Sequence, residues 1–171
     1  MQKNRIIWIG ISMQKDSKKA FDEKFLSGKI LARIQEGLGG FVHYYENLVD
    51  FAPLNENGKL RYPNVLEIAE GRARLLKVLE EVNPSAIFTL GSLVTKSMGK
   101  ALEVDLDFPK SIDYKKTFAR WSIIPIHHPA YIGVYKRKEI DKYISEIKRV
   151  VCGELFKCEI NSKISIKSIS G

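Results

Sequence analysis

Ala86-Ile87-Phe88-Thr89-Leu90-Gly91-Ser92 is an uncharged run that meets a glycine and a hydroxyl. Asn83-Pro84 stops the segment before it, because proline lacks a backbone donor and clashes with the preceding helical turn. A run this short, bounded by such breakers, has the length of a strand, and its lack of polar alternation implies burial on both faces. Gly91-Ser92 then opens a helix running to about Leu102. Upstream, Val65 to Val82 reads as an amphipathic helix with Leu66, Ala69, Ala73, Leu76 and Leu79 on one stripe. A buried strand between two helices is the unit from which parallel sheets are built.

The same alternation extends outward. Arg5 to Ser12 holds a short apolar run ending at Gly10 and reads as a first buried strand. Lys15 to Lys24 is a charged loop, and Ser27-Gly28 opens a helix with Ile30, Leu31 and Ile34 at helical spacing, closed by Gly37, Gly39 and Gly40. Val42 to Val49 is a second strand and Asn55 to Pro63 a turn-rich loop. Glu103 to Lys116 reads as an irregular surface excursion, Trp121 to Ile126 as a fourth strand ended by His127-His128-Pro129. Glu139 to Val151 is a last helix carrying Ile140, Tyr143, Ile144 and Ile147. The expected fold is therefore a three-layer α/β/α arrangement around a central, mainly parallel four-stranded sheet. One domain is expected over residues 1–171, with a core of about 5–151 and a tail, 152–171, that adds a strand or frays.

Composition narrows the function classes. Among 171 residues, 28 Lys and Arg face 20 Asp and Glu, a net charge of +8 that suits a polyanionic partner such as nucleic acid. No apolar run approaches the roughly 20 residues needed to span a bilayer, and the start Met1-Gln2-Lys3-Asn4-Arg5 leads into a strand pattern rather than a signal peptide. A cytoplasmic monomer is expected. Cys152 and Cys158 fall outside metal-ligand spacings and read as ordinary thiols, so neither metal nor cofactor is expected. Neither GxGxxG nor GxxxxGK[ST] occurs, which disfavours a nucleotide-binding protein.

In parallel α/β folds the ligand crevice lies at the carboxyl ends of the strands. Four turns should converge there: Gly10 to Phe25, Glu46 to Pro53, Gly91-Ser92, and His127 to Tyr135. Gly91-Ser92 at a helix start suits a phosphate or a simple cap; His128-Pro129 alone is only a strand terminator. In this order, however, Gly10-Ile11-Ser12, Asn47, Gly91-Ser92 and His128-Pro129-Ala130 resemble the motifs of the uracil-DNA glycosylase superfamily, over roughly Ile6 to Ile147. The stretch Tyr45 to Pro53, with Gly58 to Pro63 and Glu67-Ile68, is similar to the family-4-like branch. It departs from that branch in having Phe51 and about Gly71 where iron-sulfur members carry cysteines, so no cluster can be built. It departs again at Ser12-Met13-Gln14-Lys15, which lacks the usual acidic or Asn residue.

The resemblance implies a monofunctional DNA glycosylase that flips a pyrimidine out of DNA and hydrolyses its N-glycosidic bond. His128 would donate to the pyrimidine O2 as negative charge develops, and Asn47 would read the base edge, either uracil's O4/N3 or cytosine's N4/N3. Water activation calls for a carboxylate near the first turn: Asp16 is the nearest, Ser12 a weaker candidate, and Glu46 and Asp50 are held in reserve. Ile11 and Gln14 would bound the base pocket, and Phe21 or Phe25 would stack on the base or simply pack the core. Ser27, Gly91, Ser92 and Pro129 resemble phosphate-contacting positions. Tyr131 and Ile132 are candidate wedges for the gap left by the flipped base, and Lys136, Arg137 and Lys138 candidate phosphate holders. Where the strictest uracil enzymes carry a Tyr that blocks a C5 substituent, this chain has Gln14. Excision of uracil in repair, excision of a modified pyrimidine such as glucosylated hydroxymethylcytosine from viral DNA as antiviral defence, and a catalytically inactive DNA-binding module all remain open.

Overall fold

Side-chain alternation along β1 (Arg5–Ser12) sets the layering: Ile6 and Trp8 face one side of the sheet, Ile7 and Ile9 the other, and all are fully buried. The computed structural model describes residues 4–155. After β1 come α1 (Leu26–Gln35), β2 (Val42–Val49), α2 (Val65–Val82), β3 (Ala86–Leu90) and α3 (Ser92–Leu102). The chain continues through β4 (Thr117–Phe118), β5 (Ser122–Ile126), α4 (Pro129–Tyr135) and α5 (Ile140–Arg149). The sheet order is β2-β1-β3-β5-β4, parallel except for the antiparallel β4–β5 pair. The α/β/α architecture is as expected, and β4 adds a fifth strand, two residues long, at the edge. Because β1 leads to β2 on one side and β2 crosses back to β3 on the other, the strand order reverses at β1, and a crevice opens at the carboxyl ends there.

On one face, α1, α4 and α5 cover Ile6, Trp8, Phe88 and Ile124 with Ile30, Leu31, Ile132, Tyr143 and Ile147. On the other, α2 and α3 cover Ile7, Ile9, Ile87 and Ile123 with Leu75, Leu79, Val94 and Met98. Each fully buried aliphatic side chain stabilises the fold by about 2 kcal/mol before conformational entropy is counted. The buried stripe of α2 is Gly71, Leu75 and Leu79 with Ile68 packed alongside, whereas Leu66 is exposed. This corrects the stripe expected from Leu66, Ala69, Ala73 and Leu76. The physical reason is Gly71: a Cβ there would lie 1.8 Å from the Leu48 carbonyl oxygen, so only the phase that presents glycine lets α2 lie against β2.

The start of α2 is tied down. Asn64 caps the helix, its side chain accepting from the Glu67 amide at 2.9 Å while the Glu67 carboxylate accepts from the Asn64 amide at 2.8 Å. Arg61 adds a bidentate pair to Glu67 at 2.8 and 2.9 Å, which lowers the Glu67 pKa to about 2.

The stretch expected to be a surface excursion is anchored instead. Ile112 and Tyr114 are buried, and the Tyr114 hydroxyl lies 3.0 Å from His127 Nδ1. Helix α4 forms where a loop is expected: Pro129 supplies a preset φ at its first turn, and His128 Nδ1 caps it by accepting from the Ala130 amide at 3.2 Å. After α5 the backbone continues as one wider helical turn, Val150–Leu155, in which Cys152 packs against the core; Cys158 and most of the tail lie outside the described residues. No helix among the described residues is long and apolar enough to cross a membrane.

Candidate active site

The carboxyl ends of β1, β2, β3 and β5 bring the four turns together. Register pairs Gly10 directly with Asn47, and a Cβ on Gly10 would fall 2.6 Å from Asn47 Oδ1 and 2.7 Å from Phe21 Cζ. The missing side chain at Gly10 is therefore the space in which the Asn47 amide and the Phe21 ring meet. On the β3 side, Gly91 adopts φ 96°, ψ 160°, a conformation that essentially only glycine enjoys. Its amide donates to the Ile126 carbonyl at 2.8 Å, pulling the end of β3 onto the end of β5 beside His128.

Ser12, Gln14, Phe21, Phe25, Ser27, Asn47 and His128 line one cavity of about 20 Å³, a volume that holds a water molecule. Phe21 stands between two walls, its ring centroid 6.3 Å from that of His128 and 6.4 Å from that of Tyr45. It does so with φ 52°, a left-handed conformation that costs a bulky residue of order 1 kcal/mol or more. Gly28 holds the strained segment in place, since a Cβ there would lie 2.3 Å from the Asp22 carbonyl oxygen.

The electrostatics of the cavity are set by its buried groups. Desolvation drives the His128 pKa down to about 4, so the imidazole is neutral at neutral pH. With Nδ1 occupied as the acceptor for the Ala130 amide, the ring proton is assigned to Nε2, making His128 a neutral donor. Asn47 is buried, its carbonyl held by Arg74, while its side-chain amide makes no hydrogen bond to a described residue. Arg74 also pairs with Glu46 at 2.8 Å and Asp50 at 3.6 Å, so both of those reserve carboxylates are engaged with α2 rather than with the cavity.

Asp16 is exposed, at φ 62° on a turn, and does not line the cavity. Among the described residues the acidic one that does is Asp22, which nothing in the charged Lys15 to Lys24 stretch distinguishes by sequence. Its Oδ1 accepts from the Lys24 amide at 3.1 Å, its Oδ2 lies 3.6 Å from the Lys24 ammonium, and its side chain is 15% exposed. The Lys24 amide, foremost, holds its carboxyl below the usual carboxylate range against the opposing effect of desolvation. Met13, Ser17 and Lys19 also line the cavity and were not singled out from sequence.

Beyond Ser12, Gln14 and His128 the cavity adjoins a cleft of about 530 Å³, which Ile11, Tyr62, Tyr131 and Tyr135 also line. Tyr62 and Tyr135 are largely exposed, and Tyr131 lies over the His127 ring with centroids 5.8 Å apart. Of the two candidate wedges only Tyr131 reaches solvent, because Ile132 is fully buried in the core. Ser27 is buried at the first turn of α1 and Ser92 exposed at that of α3. Past Tyr135, Lys136 lies 3.8 Å from Glu139, and Arg137 and Lys138 point outward in a short 3-10 turn. Pro129 is buried at the start of α4. Among the described residues, no group of three or more His, Cys, Asp or Glu residues has the arrangement of a metal site, and Phe51 and Gly71 offer no ligands for an iron-sulfur cluster.

No curated protein sequence matches the chain. The family model described as the uracil DNA glycosylase superfamily matches residues 4–151. That span takes in every strand of the sheet and all four turns around the cavity: the chain belongs to the uracil DNA glycosylase superfamily.

Proposed function

We propose that this protein is a monofunctional DNA glycosylase that extrudes a pyrimidine nucleotide and hydrolyses its N-glycosidic bond, with uracil in base-excision repair as the leading substrate. The observation that carries the reading is the pairing, in one cavity, of Asn47, a buried residue whose side-chain amide makes no hydrogen bond to a described residue, and a neutral His128 whose free nitrogen is a donor. An amide donates and accepts at once, which matches the adjacent polar atoms of a pyrimidine edge. A neutral Nε2–H aimed at the pyrimidine O2 strengthens its hydrogen bond as the C1′–N1 bond breaks and charge moves onto the base. Phe21 offers its face to the flipped base. Ser27, Gly91 and Ser92 would receive phosphates, Tyr131 would fill the gap in the stack, and Lys136 and Arg137 would hold the flanking strand.

A second reading is favoured by Gln14, an exposed, flexible side chain that borders both the cavity and the adjoining cleft. A pyrimidine with a bulky C5 substituent, such as glucosylated hydroxymethylcytosine in viral DNA, would place its base among Asn47 and His128 and its substituent in the cleft.

Incubating the protein with uracil-containing DNA and with DNA bearing modified cytosines, then cleaving abasic sites with alkali, tests both. Strand breaks at uracil support the first, breaks at the modified base alone the second. His128→Ala is expected to lower the single-turnover rate by about a hundredfold or more while the protein still melts cooperatively. If no base is released from any of these DNAs, the chain is a DNA-binding module and not an enzyme.

A further inference from the structure

The geometry points to Asp22 as the carboxylate that orients the attacking water and takes its proton, an assignment that rests on the glycosylase reading above. Among the described residues that line the cavity Asp22 is the sole acidic one, and it joins Asn47, His128 and Ser12 there. The cavity volume, about 20 Å³, fits one water molecule beside those groups. Two independent features fix the carboxylate. The Lys24 amide at 3.1 Å clamps Oδ1, and Oδ2, on a side chain that is itself 15% exposed, lies 3.6 Å from the mostly exposed Lys24 ammonium. The backbone on which Asp22 sits is pressed onto α1 at Gly28, with Phe21 held in a left-handed conformation immediately before it. A residue strained in this way persists only where the surroundings over-determine it, and such positions cluster at sites of function. This segment therefore carries the stacking ring and the carboxylate as one rigid unit.

The step balances without a further reagent. The C1′–N1 bond breaks and its electron pair leaves on the base, with His128 Nε2–H donating to O2. Water oxygen bonds to C1′, its proton passes to the Asp22 carboxylate and from there through solvent to the departed base, leaving an abasic sugar with a C1′ hydroxyl. Until the water adds, the ionised carboxylate also stabilises the positive sugar.

Asp22→Asn is the informative variant, because asparagine keeps an oxygen to accept the Lys24 amide and removes only the charge and the basic site. On whichever DNA the wild type acts upon, D22N is expected to lower kcat by about a hundredfold or more, with KM and DNA affinity changed less than about threefold. Asp22→Glu is expected to recover part of the rate, and Glu23→Gln, at the exposed neighbour, to stay within about twofold of wild type. D22N at wild-type kcat with an unchanged melting temperature overturns the assignment while leaving the glycosylase reading standing, as does a loss that appears in Asp16→Asn instead. If D22N melts early, D22E decides: a folded Glu variant that recovers none of the rate overturns it. A wild type inert on every DNA removes the glycosylase reading and this assignment with it.

Discussion

At the scale of single residues, the site is built as much from missing atoms as from present ones. Gly10 faces Asn47 across the β1–β2 pairing, and its absent Cβ is what lets an amide oxygen and the Phe21 ring approach one another. Gly10→Ala is expected to push both aside: kcat/KM should fall at least about tenfold while the melt shows an overpacking cost of about 1–3 kcal/mol. Activity and urea denaturation measured on one preparation check this, and retention of full activity would show that Asn47 is not held by that contact. Tyr114 makes the complementary case. Its hydroxyl satisfies the buried His127 ring, so Tyr114→Phe leaves a desolvated nitrogen and is expected to cost about 1–3 kcal/mol in urea, with the mutant still able to release base. Gly10, Asn47 and His128 were legible in the sequence because, taken together and in order, they resemble the superfamily's motifs near the carboxyl ends of successive strands. Asp22 left no such mark: it is one charged residue in a charged loop, and only the tertiary fold, which packs its backbone onto Gly28, brings it to the cavity wall.

At the scale of elements, legibility followed the strength of local signals. The ends of α2 and β3 were readable because the patterned runs there stop at Asn-Pro and at Gly, whose backbone chemistry is local. Helix α4 was not, since Pro129–Tyr135 is too short to display a period and its cap is an imidazole rather than a hydroxyl or carboxylate. The phase of α2 was also ambiguous: two stripes carry leucines, and burial chose the one with Gly71 because that helix must touch the Leu48 carbonyl. Gly71→Ala is accordingly expected to destabilise by at least about 2 kcal/mol, well beyond the small gain alanine brings to an exposed helix, and to disturb Asn47 through the adjoining Arg74 contacts. Thermal melting together with the base-release assay separates those two effects.

Across the whole molecule, all three histidines are held below the ordinary imidazole value, each chiefly by desolvation. The unfolded chain takes up these protons first, near pH 6.5, while folded His128 waits until about 4. Stability is therefore undiminished above pH 6.5 and falls as the pH drops toward 4, and His128 alone accounts for roughly 2 kcal/mol of loss by pH 5. Depressed carboxylates such as Glu67 and Glu146 contribute in a separate, more acidic window, below about pH 4.5. Urea midpoints at pH 7 and 5 measure the effect, and His128→Gln should flatten much of it.

The volume of the cavity at the strand ends has a kinetic corollary. A space of about 20 Å³ cannot admit a pyrimidine ring, so the base-accepting conformation is a minor one whose population must be raised by contacts made elsewhere on the strand. A free nucleobase brings none of those contacts. Released product should then inhibit poorly, and short oligonucleotides stripped of flanking phosphates should lose turnover as well as affinity, because the grip on the backbone is what holds the door open for the base.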